Sequence, residues 1–165
     1  IRVSSPSCSK FCNPIFSMTT QHSSSAPAHL LAVHSHAGAG YKPLVDYGAW
    51  RVALLNYASD LRVENLDRMQ RHNATDEVFV LLKGRCLLFT GEGGDTVERI
   101  YGEDLRPGLL YNVRRAVWHT HALSPDAQVL VVENRDTTYD NSPFTTLSTA
   151  QQQELVRLCT LAWGG

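Results

Sequence analysis

Three residues in the middle of the chain, His72, Glu77 and His119, carry side chains that bind metal ions in many proteins. Two imidazoles and one carboxylate with open coordination positions suit non-haem Fe(II), and the same set accommodates Mn, Ni or Zn. Gln70 precedes His72 by two residues and offers a carbonyl oxygen, which is a weaker and neutral ligand. We predict a divalent metal site formed by Gln70, His72, Glu77 and His119, and leave the metal's identity open.

The alternation of side chains along a β-strand explains how these residues could meet. Gln70 and His72 share one face of a strand, and Glu77 shares a face with Phe79 and Leu81. Two neighbouring strands and a third strand with His119 can then direct their polar groups to one point inside a barrel. Burying an acid and two imidazoles without partners costs on the order of several kcal/mol. Either a metal ion or a hydrogen-bond network must therefore satisfy them, and we favour the metal.

His121 is the candidate catalytic residue. It follows His119 by two residues, so a regular strand turns both rings to the same side. In that position His121 is a proton donor to a substrate, an alternative metal ligand or a hydrogen-bond partner of a ligand. If the strand has already reached the rim of the barrel, His121 lies in water instead, and the sequence favours neither position.

The spacing around the first histidine resembles a known motif. The chain reads Gln70-x-His72-x4-Glu77-x6-Gly84. The first motif of the cupin superfamily is H-x-H, three or four residues, Glu, six residues and Gly, so only its first histidine is replaced. The resemblance is to small single-domain proteins of the cupin 2-like type, and it extends over roughly residues 50–134.

The second cupin motif, P-x-G-x2-H, falls on Arg114, Ala116 and His119. Its proline and glycine are missing, and its ligand histidine is present. The resemblance implies a β-barrel that encloses a metal site, and it implies a homodimer, because cupins commonly pair sheet to sheet. Oxygenase, isomerase and lyase activities all occur among cupins.

The distribution of strand-like segments predicts a mainly β fold. Short segments rich in β-branched, Leu and aromatic residues alternate with turn signals such as Lys83-Gly84, and no helical pattern intervenes to allow parallel crossovers. We predict an antiparallel jelly-roll or cupin β-barrel. The predicted strands are 69–72, 78–82, 86–90, 97–101, 109–113, 118–122 and 128–133, after an apolar run over 50–56.

The C-terminal region has a different pattern. Ser148 and Gln151 have the spacing of a helix capping box, and apolar residues follow at helical intervals. We predict a helix over residues 149–161 that packs one apolar face on the barrel.

The outward face of one strand indicates a covered surface. Val78, Val80 and Leu82 alternate with Glu77 and are apolar, so the strand is buried on both faces. Either the C-terminal helix or a second copy of the chain has to cover them. Trp118, which lies opposite to His119 by alternation, fits the same covered surface.

Composition limits the partners. The 165 residues suffice for one domain with a core, and 43% hydrophobic with 19% charged residues is typical of a globular protein. The net charge of −1, without a cluster of Lys and Arg, disfavours nucleic acid as a partner. No apolar run has the roughly 20 residues that cross a bilayer, so we expect no membrane association and a cytoplasmic location.

The four cysteines and the N-terminal segment are less informative. Cys8, Cys12, Cys86 and Cys159 form no evident framework, which favours free thiols in a reducing compartment. Residues 1–40 hold nine serines and no acid, and we interpret them as a disordered or non-native tail before a domain over 41–165. An organelle transit peptide is one alternative, and sequence upstream of Met18 that is foreign to the protein is the favoured one.

Three functions are compatible with these features. The first is a metal-dependent enzyme that acts on a small polar or aromatic molecule as an oxygenase, isomerase or lyase. The second is a non-catalytic small-molecule-binding module or sensor that uses the same barrel. The third is a structural dimerisation domain that works through its outer apolar sheet.

Overall fold

The computed structural model describes residues 26–164, which contain ten strands, two 3₁₀ turns and one helix. Residues 26–33 belong to a separate unit, in which the amides of Leu30 and Leu31 donate to the carbonyl of Pro27. The elements from residue 34 onward are β1 (Gly40–Tyr47), β2 (Trp50–Asn56), the 3₁₀ turns Ser59–Leu61 and Val63–Asn65, β3 (Arg68–Gln70), β4 (Glu77–Lys83), β5 (Cys86–Glu92), β6 (Arg99–Asp104), β7 (Tyr111–Val113), β8 (Trp118–Leu123), β9 (Gln128–Asn134), β10 (Phe144–Thr146) and α1 (Thr149–Trp163).

The strands form two antiparallel sheets. The first sheet has the order β1-β2-β9-β4-β7 and the second has the order β10-β3-β8-β5-β6. The predicted mainly β, antiparallel barrel with a C-terminal helix is confirmed. The edge strands β1 and β10 were not predicted, because β1 is largely exposed and contains Pro43, which is tolerated at a sheet edge, and β10 has three residues.

The core lies between the inner faces of the two sheets. On β4, Glu77, Phe79 and Leu81 are buried while Val78 and Val80 are half-buried, so the predicted alternation is confirmed. The apolar residues of this core come from both sheets and their connections, and they are Ala53, Leu55, Phe79, Leu81, Cys86, Leu88, Leu105, Val113, Leu123, Ala127, Val129 and Val131.

Helix α1 begins with the predicted capping box. The amide of Gln151 donates to the hydroxyl of Ser148, and the Gln151 side chain accepts from the Ser148 amide. Leu155 and Cys159 are the buried residues of the helix. They belong to a second apolar cluster with residues of the outer face of the second sheet, namely Leu87, Phe89, Trp118 and Ala122.

The position of α1 corrects two expectations about the covered surface. The helix packs on the second sheet, so it does not cover Val78 and Val80, which lie on β4 of the first sheet. Trp118 lies on β8 of the second sheet and is buried with the helix, so it belongs to a different surface from Val78. The sequence alone did not show that β10 belongs to the second sheet. The helix follows β10 directly in the chain and packs on the same sheet.

The outer face of the first sheet carries an apolar stripe across three strands. Val52 of β2, Val132 of β9 and Val78 of β4 are aligned by the strand register. Leu54, Leu130 and Val80 form a parallel row one step along the strands. These six side chains are half-buried by one another, and Leu82 at the end of the face is 46% exposed. We call this surface the outer stripe.

Gly84 of the first motif is required by its turn between β4 and β5. Its φ of +70° lies in the left-handed region, and a Cβ atom there would lie 2.5 Å from Cα of Ala127. The motif glycine therefore allows the turn that carries the chain from β4 in the first sheet to β5 in the second.

The structure describes only some of the residues behind the predictions about cysteines, the N-terminal segment and membrane crossing. Cys86 and Cys159 are buried free thiols, and burial raises the pKa of Cys86 to about 12. Cys8, Cys12 and the segment before Met18 lie outside the described residues. Among residues 26–164, α1 is too short and too polar to cross a lipid bilayer.

Candidate metal centre

His72, Glu77 and His119 meet in the interior between the two sheets. Glu77 is the first residue of β4, His119 is the second residue of β8, and His72 lies in the turn after β3. Their exposed fractions are only 5%, 5% and 1%. Each offers one ligand atom, and these three atoms lie within 4.8 Å of one another. The predicted convergence therefore occurs, with β3 and β8 as neighbours in one sheet and β4 in the facing sheet.

A single carboxylate oxygen joins the two imidazoles. Oε2 of Glu77 lies 3.1 Å from Nε2 of His72 and 2.8 Å from Nε2 of His119. Both rings thus present the same nitrogen, Nε2, to the shared point. This arrangement leaves both Nδ1 atoms free to bond to the surrounding protein.

The hydrogen bonds made by Nδ1 show which nitrogen of each histidine ring carries the proton. Nδ1 of His119 lies 3.0 Å from the carbonyl oxygen of Val117, which only accepts, so this nitrogen carries the proton. Nδ1 of His72 lies 2.7 Å from Oγ of Ser142. Ser142 in turn donates to Oδ1 of Asn141 at 3.0 Å, so its oxygen accepts from His72.

The orientation of the Asn141 amide supports this assignment. Its Oδ1 accepts from the amide of Thr138 at 2.9 Å, and its Nδ2 donates to the carbonyl of Asp136 at 2.9 Å. The oxygen of Asn141 is therefore the atom that faces Ser142, and the direction of the chain from His72 to Asn141 is determined.

Three acceptors consequently converge at the cluster. With Nδ1 protonated in both neutral rings, each Nε2 presents a lone pair toward the Glu77 carboxylate. Acceptors this close require a cation between them, either a proton that makes an imidazolium or a metal ion. Two imidazoles and a carboxylate, with outer nitrogens already bonded to protein, fit a divalent transition metal, so the His72, Glu77 and His119 group could bind one.

The electrostatics agree with a site for positive charge. Burial by itself would raise the pKa of Glu77, but the hydrogen bonds and charges of His119 and His72 outweigh burial and lower this pKa to about 2. Burial would by itself lower the pKa of His72, but the hydrogen bond to Glu77 and the charges of Glu77 and Glu133 together outweigh burial and raise this pKa. The carboxylate is therefore ionised at neutral pH and attracts a cation.

Backbone contacts hold the two histidine segments together. The amide of Ala116 donates to the carbonyl of His72 at 2.8 Å, and Oδ1 of Asp76 accepts from the amide of Arg115 at 2.8 Å. Ala116 occupies the glycine position of the second motif, and its φ of +63° is the left-handed conformation that a glycine adopts easily. The turn of the motif is thus present although its glycine is absent.

Gln70, the fourth predicted ligand, lies beside this group. It is directly opposite His119 in the β3 and β8 pair, so both side chains project to the same side of the second sheet. Gln70 is half-buried and lines the same cavity as His72 and Glu77. Its role as a ligand stays a prediction.

His121 faces the cavity as well. It is half-buried, and its ring centroid lies 5.8 Å from that of Phe79. Its Nδ1 is buried without a hydrogen-bond partner in the described part of the protein. Burial lowers the pKa of His121 to about 4, so the ring is neutral at physiological pH. Its catalytic role stays a prediction.

The cavity beside the cluster has a volume of about 690 Å³, which is in the range of small-molecule sites. Its apolar lining includes Leu55, Phe79 and Val131. Its polar lining includes Gln70, His72, Glu77, His121, Glu133 and Ser142. The cluster thus lies in the wall of a chamber that can hold a second molecule.

Glu133 and Tyr41 form a polar pair in this cavity that the sequence analysis missed. The Tyr41 hydroxyl donates to Oε1 of Glu133, and Glu133 is 8% exposed. Burial raises the pKa of Glu133, the Tyr41 hydrogen bond opposes this, and the charge of Glu77 adds to the rise. Strand alternation was a usable signal for Glu133, because Val129, Val131 and Glu133 share a face and the acid therefore points inward with two valines.

Comparison with known proteins finds solved structures that resemble this chain in their fold. No family model and no curated protein matches the chain. A cupin-2 domain protein from Shewanella frigidimarina is 16% identical, with a TM-score of 0.42, and the match covers 65% of this chain and 87% of that chain. KdgF from Halomonas is 15% identical, with a TM-score of 0.42 and coverage of 59% and 78%. Recombinant oxalate oxidase in complex with glycolate is 13% identical, with a TM-score of 0.41 and coverage of 66% and 57%.

These identities are too low to transfer a substrate or a reaction. What the chain itself shows is its fold, which consists of two five-stranded antiparallel sheets and a C-terminal helix. The motif residues His72 and Glu77 lie beside His119 in the interior, and Gly84 makes the turn that the motif requires. In this fold and this motif geometry, the chain resembles the cupin superfamily.

Proposed function

We propose that this protein binds a divalent metal ion through His72, Glu77 and His119 and acts on, or senses, a small molecule held beside the metal. The observation that carries the proposal is the convergence of two Nε2 lone pairs on one carboxylate oxygen. Fe, Mn, Ni and Zn all accept such a donor set, and Gln70 is placed to add a neutral oxygen.

A metal-dependent enzyme is the favoured form of this function. A bound metal supplies Lewis acidity and a coordination position for a substrate oxygen. His121 is a neutral imidazole on the cavity side, so it can exchange hydrogen bonds with a bound molecule, and its catalytic role is part of this proposal. Oxygenase, isomerase and lyase reactions all remain within this proposal. A non-catalytic binding module or sensor is the alternative and uses the same cavity.

The outer stripe supports a homodimer. Its six aligned apolar side chains form a continuous surface on the first sheet, and α1 covers the other sheet instead. A second copy of the chain that pairs through this stripe would remove it from water. The proposed assembly is therefore a dimer in which the first sheets of two copies pair through the outer stripe.

Metal analysis tests the proposal. Protein purified without chelator is expected to contain close to one equivalent of metal, and His72→Ala with His119→Ala should remove it. His34→Ala is the matched control, because His34 is exposed and lies in sequence before β1. Added Zn²⁺ should raise the melting temperature of metal-depleted wild-type protein and leave that of the double variant unchanged. A wild-type protein that takes up no metal, and melts as the double variant does, overturns the site.

A further inference from the structure

The polar groups opposite the metal cluster are arranged as hydrogen-bond acceptors. The Tyr41 hydroxyl donates its hydrogen bond to Glu133, so the phenol oxygen has only acceptor capacity left for the cavity. The carboxylate of Glu133 has acceptor capacity beyond the one bond from Tyr41. A molecule that contacts this wall therefore has to donate a hydrogen bond.

The charges of the cavity point to the same class of ligand. The acids that line it are Asp60, Glu77 and Glu133, and the other ionisable lining groups in the described part of the chain are histidines and tyrosines. Glu77 belongs to the metal cluster, whereas Glu133 lies on the neighbouring strand β9. In the metal-depleted protein, a carboxylate or phosphate placed against Glu133 would face a like charge. Arg51, opposite Glu133 in the strand register, is bonded to Asp46 and does not line the cavity.

The remaining walls fit an apolar body. Leu55, Val131 and Phe79 line the interior, and Tyr139 and Phe144 line the cavity with ring centroids 5.9 Å apart. Aromatic rings beside a carboxylate are also a favourable surrounding for an ammonium group. The cavity thus combines an apolar surface with one acceptor wall.

We propose that Glu133 and Tyr41 form the ligand-recognition wall of the cavity and select a neutral or cationic molecule that carries a hydroxyl or amino group on an apolar body. The inference rests on the proposed function, because it assumes that the chamber beside the metal cluster holds a small molecule. It goes further by naming the chemical class of that molecule and the two residues that choose it.

Three probes of equal size test the selection. Benzyl alcohol, benzylamine and benzoate share one ring and differ in the charge and donor capacity of the attached group. Binding to the full chain is measured by saturation-transfer NMR titration, with metal-depleted and with zinc-loaded protein. We expect benzyl alcohol and benzylamine to bind at least about tenfold more tightly than benzoate in the metal-depleted protein.

The variants assign the selection to the wall. Glu133→Gln keeps the shape and removes the charge, so the preference for benzylamine over benzoate should fall by about tenfold. Glu103→Gln makes the same charge change at an exposed position of β6 on the second sheet, and it should leave the preference unchanged. Tyr41→Phe serves if Glu133→Gln fails to fold, and it should weaken benzyl alcohol binding, because Tyr41 is 41% exposed and tolerates the change.

The outcomes separate this inference from the proposed function. Benzoate bound as tightly as benzylamine by wild-type protein, or a preference that Glu133→Gln leaves intact, overturns the wall while zinc uptake still supports the metal site. Failure to take up zinc refutes the metal site, and the metal-depleted titrations still report the preference. Absence of binding by all three probes at millimolar concentration overturns the inference.

Discussion

The hydroxyl group of Ser142 lies 2.7 Å from Nδ1 of His72, although 70 positions of sequence separate the two residues. The amide of Asn73 donates to the carbonyl of Asn141 at 2.9 Å beside this contact. The connection between β9 and β10 is therefore tied to the turn that holds His72. Ser142 accepts a hydrogen bond from Nδ1 of His72, and this bond leaves Nε2 as the nitrogen that faces Glu77.

Removal of this hydroxyl should weaken metal binding. We expect Ser142→Ala to lower zinc affinity by about 10- to 100-fold while the protein stays folded, because the ring loses the partner that orients it. Competition with a chromophoric chelator measures the affinity. Ser124→Ala is the control, since its hydroxyl bonds to Arg85 and Asp126 in a turn remote from the cavity. Equal zinc affinity in Ser142→Ala and wild-type protein would contradict the orienting role.

Ala116 should be a site of backbone strain. The residue is exposed and adopts a φ of +63°, a conformation that costs a non-glycine residue on the order of 1 kcal/mol. We expect Ala116→Gly to raise the free energy of unfolding by about 0.5–1 kcal/mol, after the larger entropy of glycine in the unfolded chain is subtracted. Urea denaturation of metal-depleted protein measures this change.

The reverse substitution is the control for this strain. Gly108 has a φ of +83° and open space around its Cα, so Gly108→Ala introduces the strain without a clash and should lower the free energy of unfolding by a similar amount. If Ala116→Gly is neutral or destabilising, the left-handed conformation of this turn is not the source of strain.

The sequence was sufficient for eight of the ten strands, for the helix and for the residues of the cluster. His72, Glu77 and Gly84 were identified because their spacing matches the turn and strand geometry that brings them inward. His119 was identified from the order and separation of the two motifs, although the proline and glycine of its motif are absent. Ala116 adopts the conformation that the missing glycine would have. Local pattern was enough wherever one strand and its turn decide the direction of a side chain.

Contacts between segments that are distant in sequence could not be predicted from the sequence pattern. Ser142 reaches His72 from the connection before β10, and Tyr41 reaches Glu133 across 92 positions. Neither contact has a periodic signal, because each depends on which strands are neighbours in a sheet. The expectation that α1 could cover the outer face of β4 was wrong for the same reason. Alternation on β4 shows an apolar outer face without showing which element packs there.

Metal binding should weaken as the pH falls, with the histidines as the competing bases. Zinc binds a neutral imidazole, and the raised pKa of His72 means that protons compete above the ordinary histidine range. Glu77, with a pKa of about 2, stays ionised throughout and adds no proton competition. Zinc affinity should therefore decrease steadily from about pH 8 to about pH 5, as measured by chelator competition at constant ionic strength. A constant affinity over this range would refute histidine ligation.

The outer stripe should hold two chains together. Val80 belongs to this stripe and lies on β4, between Leu130 on β9 and the edge strand β7. Val80→Lys would place two charges in the paired surface, because a two-fold dimer buries the same patch of both copies. We expect wild-type protein to sediment as a dimer and Val80→Lys to raise the dissociation constant by on the order of 100-fold, equivalent to about 3 kcal/mol.

The controls separate assembly from folding. Leu161→Lys adds the same charge on the exposed side of α1, where Leu161 is 70% exposed, and it should leave the dimer intact. Val80→Lys should retain its zinc, because its side chain points away from Glu77 and Phe79 on the same strand. Sedimentation equilibrium over a range of concentrations gives both masses. A wild-type protein that is monomeric at all concentrations, or a Val80→Lys variant that dimerises as well as wild type, shows that the outer stripe is not the interface.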